Sequence, residues 1–209
     1  LVIGRAGLDL YAHPINTPIE NASQFTSQLG GSAANIAAGL AIQGNNVDLM
    51  SPISNDAIGD FVINSCKKIG INTLLLQRVS NLKNTLAIVD TMGDKTNAVL
   101  YREKPADLFI DETFLKKINL DSYLMIIVTG TSLSRNPSRN NVLKLMELAV
   151  KRKIEIVLDI DYREGSWDDK KKAEKTLYSA SLLSNIVVGN DLEFNFMSSD
   201  KNRGLSLAS

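Results

Sequence analysis

From about residue 111 the chain settles into an alternation that constrains its fold more than any other feature. Three short apolar runs, "YLMIIVTG" (123–130), "IEIVLDID" (154–161) and "NIVVG" (185–189), are separated by segments with helical spacing. In 138–152, Val142, Leu145, Met146, Ala149 and Val150 form one stripe at helical period. Residues 111–118 are predicted as a short helix capped by Asp111, and 167–183 and 191–198 as two more. Runs that are apolar throughout belong in strands buried on both faces. Strands alternating with helices then dictate an α/β class: a mostly parallel sheet covered by helices on both faces.

The first half carries the same signals with an interruption. "LVIG" (1–4) and "NVDLMSPI" (46–53) read as buried strands. Residues 32–43, lined with alanine and isoleucine, read as a helix buried on most sides. In 56–69, Ile58, Phe61, Val62, Ser65, Cys66 and Ile69 share a face, and Gly70 follows as a stop. "TLAIVDT" (85–91) and "NAVLYRE" (97–103) flank the turn-former "MGDKT" and read as a hairpin. A small β-sheet contributed by about 10–28 and 71–105 is therefore expected to project from the main body.

Composition excludes several classes. The 209 residues balance 23 Lys+Arg against 23 Asp+Glu, without the basic excess of a dedicated nucleic-acid binder. No apolar run reaches transmembrane length, so no membrane partner is expected. One cysteine, Cys66, cannot form an internal disulfide, which points to a reducing, cytoplasmic setting. Its place on an apolar helical stripe reads as core packing. The single histidine, His13, stands beside Pro14 and reads as a loop residue. No cluster has zinc-ligand spacing, and neither the P-loop nor the dinucleotide fingerprint is present.

Ligands of parallel sheets gather at the carboxyl ends of the strands. After the first strand comes "RAGLDLY" with Asp9, after the later ones "TGTSLS", "DIDYREGSW" with Asp159, Asp161 and Arg163, and "GNDLEF" with Asn190 and Glu193. Gly30 and Gly31 stand before a helix, where backbone N–H groups are free and no Cβ obstructs a ligand. Asn35, one turn on, adds an amide suited to hydroxyl-rich ligands. A tight turn with Asn35 as a local cap accounts for the same residues. Arg102 and Arg163 suit a carboxylate, or equally surface ion pairs.

"GGSAANIAAGLAIQG" followed by "SNDAIGDF" resembles the N-terminal signature of the ribokinase-like (PfkB) carbohydrate kinases. Gly30, Gly31, Asn35, Ala37, Gly44, Asp56 and Gly59 fit it. Ser54 stands where that family usually has glycine, which leaves the local turn open. "GRAGLDLY" is similar to the family's first strand with its substrate-binding Asp, here Asp9, and "NDLE" to its Asn-x-x-Glu magnesium motif. Within the family, "YREKPAD", "VTGTSLS" and "DIDYR…W" together look most like 5-dehydro-2-deoxygluconokinases of myo-inositol catabolism; 2-keto-3-deoxygluconate kinases carry similar arginines.

The resemblance implies a ribokinase-like fold with a β lid, ATP as co-substrate and Mg2+ as cofactor. It implies phosphorylation of a primary hydroxyl of a sugar acid. Asp9, Gly30, Gly31 and Asn35 would hold sugar hydroxyls and Arg102 and Arg163 the carboxylate end. Asn190 would face the ATP phosphates, and Glu193 the magnesium through water. It also implies a homodimer through the lid. The family's Gly-Ala-Gly-Asp segment, with its general-base Asp, is not found and is expected beyond Ser209. Residues 1–209 thus read as an incomplete ribokinase-like domain, roughly its first two-thirds, cut at both ends and inactive alone. A non-catalytic sugar-binding fragment and a nucleoside kinase remain as alternatives.

Overall fold

The computed structural model describes residues 1–197. Residue 198 of the last predicted helix lies outside them. In chain order the elements are β1 (Val2–Ile3), β2 (Gly7–His13), β3 (Gln24–Gly30), α1 (Ser32–Ile42), β4 (Leu49–Ser54), α2 (Ala57–Ile69), β5 (Leu76–Val79) and β6 (Leu86–Met92). Then come β7 (Lys95–Tyr101), α3 (Glu112–Leu115), β8 (Met125–Thr129), α4 (Ser138–Lys151), β9 (Glu155–Asp159), α5 (Lys170–Ser181), β10 (Ile186–Val188) and α6 (Asp191–Met197). They form two compact units, one of Leu1–Gly4 with the chain from Leu108 onward, the other of Arg5–Asp107.

In the first unit the strands run β10-β9-β8-β1 and every pairing is parallel. Ile126, Val128, Ile156 and Leu158 are fully buried, as their uninterrupted apolar runs require. α4 buries Val142, Leu145, Met146 and Ala149. Val150, counted in the same stripe, instead stands 47% exposed, because it lies at the stripe's edge near the last turn. α5 buries Ala173, Leu177 and Ala180. α3 is shorter than its predicted span; Asp111 caps it by accepting from the Thr113 and Phe114 N–H groups.

In the second unit β4 and β5 pair in parallel, and β3-β2-β6-β7 form a separate four-stranded sheet. Within that sheet β2–β3 and β6–β7 are antiparallel and β2–β6 is parallel. α2 is capped by Asp56 and ends at Gly70, with Gly59, Val62 and Cys66 buried. Three expectations need correction here. Leu76–Val79, assigned to the small sheet, pairs with β4 instead; buried Leu75 and Leu76 return to that strand after α2, as a parallel crossover does. α1 is not buried on most sides: only Ala33, Ala34 and Ala37 are, and Ile42 is 76% exposed. Asp9 comes after β1 as expected, but it lies inside a strand of its own, β2, rather than in a loop at a strand end. "GLDLYAH" alternates apolar and polar residues, the period of a half-buried strand.

Candidate functional site

The glycine pair lies in the Arg5–Asp107 unit. Antiparallel pairing of β2 and β3 sets Gly7 opposite Gly30 and Asp9 opposite Gln28. A Cβ on Gly30 would fall 2.0 Å from Asp9 Oδ1, so the bare residue is what leaves room for the carboxylate. Gly31 has φ +102°, and a Cβ there would fall 2.3 Å from the Arg5 carbonyl oxygen. α1 starts immediately after it, with the Asn35 N–H donating to Gly31 O at 2.9 Å and the Ala34 N–H to Arg5 O at 3.2 Å. The cap position is Gly31, and Asn35 stands exposed within the helix. Burial raises the Asp9 carboxyl above the usual carboxylate range, while Arg5 pulls it back.

The same unit holds a buried polar joint. Ser54 Oγ lies 2.6 Å from both Asp56 Oδ1 and Asn84 Oδ1, and Asp56 Oδ1 accepts from the Ile58 and Gly59 N–H groups. Burial works to raise Asp56, but bonds from Ser54, Lys83 and Gly59 outweigh it and hold the carboxyl down at about 2. The turn left open by Ser54 therefore closes with serine in place. Beyond β7, Arg102 Nη2 meets Asp107 Oδ2 at 2.5 Å, with side chains 10% and 1% exposed. Thr85 Oγ1 donates to the other Asp107 oxygen at 3.0 Å. Of the two readings of Arg102, a surface ion pair is wrong in its setting: the pair is buried.

In the other unit the carboxyl ends of β8, β9 and β10 carry a second cluster. Glu193 is 8% exposed; its Oε1 accepts from the Tyr162 N–H and its Oε2 from the Asn190 N–H, each at 3.0 Å. Asn190 Oδ1 accepts in turn from the Glu193 N–H at 3.0 Å. This reciprocal pair is a capping box at the head of α6. Asp161, 4% exposed and at φ +34°, accepts from Thr131 Oγ1 at 3.1 Å and pairs with Arg163 Nη2 at 3.0 Å. The Arg163 side chain itself is 60% exposed. Burial, then the negative charges of Asp161 and Glu193, push the Asp159 carboxyl up to about 6. Beside the cluster opens a cleft of about 690 Å³ bounded by Tyr162, Arg163, Lys170, Asn190, Glu193 and Phe196. Tyr162 and Phe196 stack at 3.9 Å.

A model of the pfkB family of carbohydrate kinases matches residues 1–208. The chain belongs to that family. It is 36% identical over 197 residues to the 5-dehydro-2-deoxygluconokinase of Clostridium tetani, covering 93% of this chain and 58% of that one. The enzyme of the same description from Photobacterium profundum is 35% identical over 198 residues, with 94% and 60% covered. The chain thus spans about 58–60% of the length of these curated relatives. Among solved structures, a PfkB protein from Polaromonas sp. superposes with a TM-score of 0.89 at 19% identity, over 99% of this chain and 70% of that one. A 2-dehydro-3-deoxygluconokinase from Thermotoga maritima gives 0.86 at 19% identity, over 95% and 61%. At such identities these likenesses establish the ribokinase-like fold alone.

The PfkB pattern left several residues unmarked. Asn84, Thr85 and Asp107 organise the first site; Asp107 closes "YREKPAD" without a role in that pattern, and nothing in the local sequence marks Asn84 and Thr85, whose side-chain partners Ala6 and Asp107 lie 78 and 22 positions away. Asp159 and Asp161 stand out only as two acids at a strand end. Among the described residues no group of three or more His, Cys, Asp or Glu has the geometry to hold a metal ion directly. The hard oxygens of Glu193, Asp159 and Asp161 suit magnesium held through water, as that ion prefers. Burial raises the Cys66 thiol to about 11, consistent with an inert core residue. His13 ends β2 and is exposed. Among the described residues no helix is long and apolar enough to cross a membrane.

Proposed function

We propose that the complete protein transfers a phosphoryl group from ATP to a primary hydroxyl of 5-dehydro-2-deoxygluconate, in the cytoplasm and as a step of myo-inositol catabolism. The observation that carries the reading is the seat at Gly30, where the missing side chain is replaced by the Asp9 carboxylate. A carboxylate fixed against bare backbone is an acceptor for sugar hydroxyls. Identity of 36% to a 5-dehydro-2-deoxygluconokinase over nearly the whole chain supports the choice of substrate.

In this reading Asp9 accepts from sugar hydroxyls, with Gly30 and Gly31 giving room to the Asp9 carboxylate and the Arg5 carbonyl and Asn35 adding amide contacts. Arg102 and Arg163 orient the carboxylate end. Asn190 faces the ATP phosphates, and Glu193 holds the water shell of the magnesium that travels with ATP. Magnesium there would neutralise phosphate charge, and positioning would supply most of the remaining rate. The β3-β2-β6-β7 sheet acts as a lid that excludes water from the sugar. Its outer strand β7 exposes Val99, Leu100 and Tyr101, a surface on which a homodimer can form.

A second reading is a kinase of a related sugar, 2-keto-3-deoxygluconate or a neutral one. A neutral sugar is favoured by Arg102 and Arg163 each already facing a carboxylate, Asp107 and Asp161. ADP release by the complete gene product with 5-dehydro-2-deoxygluconate, 2-keto-3-deoxygluconate, fructose and ribose separates the two. Selective turnover of the first supports the proposal. Preference for fructose or ribose refutes an acidic substrate.

A further inference from the structure

We propose that Asn84 is a positioning residue for the sugar-hydroxyl seat; the inference rests on the reading of Asp9, Gly30 and Gly31 given above. Asn84 is 5% exposed and stands just before β6. Its Oδ1 accepts from the Ser54 N–H at 2.7 Å and faces Ser54 Oγ at 2.6 Å, and its Nδ2 donates to the Ala6 carbonyl at 2.9 Å. One buried amide thus joins three segments: the end of β4, the residue before β2, and the start of β6.

The Ala6 peptide is the point through which this acts. Ala6 is fully buried. On one side of it, the Arg5 carbonyl accepts from Ala34 in α1 and lies against Gly31. On the other side, Gly7 pairs with Gly30 and leads along β2 to Asp9. The Leu8 N–H also donates to Thr85 O at 3.2 Å, next to Asn84. The space between Asp9 and Gly30 is too small for a methyl group, so a displacement of Ala6 by a fraction of an ångström changes where the carboxylate sits. At its other end the amide reaches α2, because the Ser54 hydroxyl also lies against the capping Asp56. That hydroxyl has one proton and serves one of the two oxygens at a time. The Ser54 N–H bond to Asn84 does not depend on it.

The buried Asn84 side chain bonds to Ser54 and Ala6, so its loss acts on sugar binding through Asp9 and leaves nucleotide binding alone. The test measures sugar KM, ATP KM, kcat and Tm on the complete gene product. We expect Asn84→Ala and Asn84→Asp each to raise the sugar KM at least about tenfold, with the ATP KM within about twofold of wild type. Asn84→Asp keeps the volume and the acceptor for Ser54 but cannot donate to Ala6, and it decides the matter if the alanine variant does not fold. Ser54→Ala keeps both the Ser54 N–H and Ala6 bonds and should shift the sugar KM by less than about threefold. A fall in Tm with an unchanged sugar KM, or equal rises in both KM values, overturns the proposal. Wild-type protein that phosphorylates no sugar at all refutes the functional reading and this inference together. Wild-type turnover of a neutral sugar refutes only the choice of substrate.

Discussion

The two carboxylate sites are built on opposite principles. At the glycine pair, side chains are removed: Gly30 yields its space to Asp9, whose carboxylate feels the cation Arg5. At the ends of β8, β9 and β10, side chains are crowded: Asp159, Asp161 and Glu193 bear on one another, with backbone N–H groups and Arg163 as counterweights. Both arrangements raise a carboxyl, Asp9 mainly through burial and Asp159 through burial and like charge. A site made by removing atoms is sensitive to added atoms. A site made by gathering charge is sensitive to pH.

The largest effects should therefore come from a single methyl group in the first site. Gly31→Ala forces an L residue to φ +102° and drives its Cβ into the Arg5 carbonyl. Such backbone strain alone costs about 1–3 kcal/mol, and the collision with main chain adds to it. Urea unfolding should show a loss at the top of that range or beyond. In Gly30→Ala the atoms nearest the new Cβ are those of the Asp9 carboxyl group, a side chain that can turn away where main chain cannot. The substitution should leave stability nearly intact while raising the sugar KM of the complete gene product at least about tenfold. If Gly30→Ala binds sugar normally, the seat does not work through Asp9.

The contrast also explains what was legible in the sequence. Buried parallel strands advertise themselves as apolar runs, so β8 and β9 were visible, and α2 carried its Gly70 stop; "NIVVG" was read the same way, but β10 leaves Ile186 and Val188 50% and 51% exposed, so it is not buried on both faces. Asp9 was placed after a strand because "LVIG" ended the apolar run; the alternation in "GLDLYAH" was the signal for a strand of its own. The Asn190–Glu193 spacing reads two ways, as a magnesium motif and as a capping box, and the box is formed. The capping role does not remove the other, since each carboxylate oxygen keeps a lone pair after one N–H bond. The arginines were read as partners for a substrate carboxylate or as surface ion pairs; in the fold each faces a carboxylate of the chain itself, Asp107 and Asp161. Both partners lie close in sequence, five and two positions away, but which nearby acid an arginine meets is set by the conformation of the loop between them, which spacing does not encode.

Charge crowding in the second site predicts a stability that falls as pH rises. The Asp159 carboxyl titrates at about 6 in the fold against 3.8 as its ordinary value. A raised carboxyl favours the fold below the lower value, and that contribution is lost as pH climbs through the higher one. Asp159→Asn removes the titration and keeps the shape. At pH 8 it should be more stable than wild type by on the order of 1 kcal/mol after allowance for solvent screening, or roughly 2–4 °C in Tm. At pH 4 the two should melt together. An equal gap at both pH values would mean that the Asp159 carboxyl is not raised in the fold.

Asp56 supplies the opposite sign inside the glycine-pair unit, with a smaller effect. Its carboxyl lies at about 2, below the ordinary 3.8, so its contribution is present above the higher value and lost as pH falls towards the lower. Asn is as good an N-cap as Asp, so Asp56→Asn isolates the charge from the cap. What remains to lose is chiefly the 3.0 Å pair with Lys83, whose side chain is 72% exposed. Exposed pairs are worth about 0.2–1 kcal/mol and are screened by salt. Urea unfolding should find Asp56→Asn weaker than wild type by about 0.5 kcal/mol at pH 7, with the gap closing between about pH 4 and pH 2 and shrinking in high salt. A gap that instead widened on acidification would place Asp56 with Asp159, and the division between a site built on space and a site built on charge would not hold.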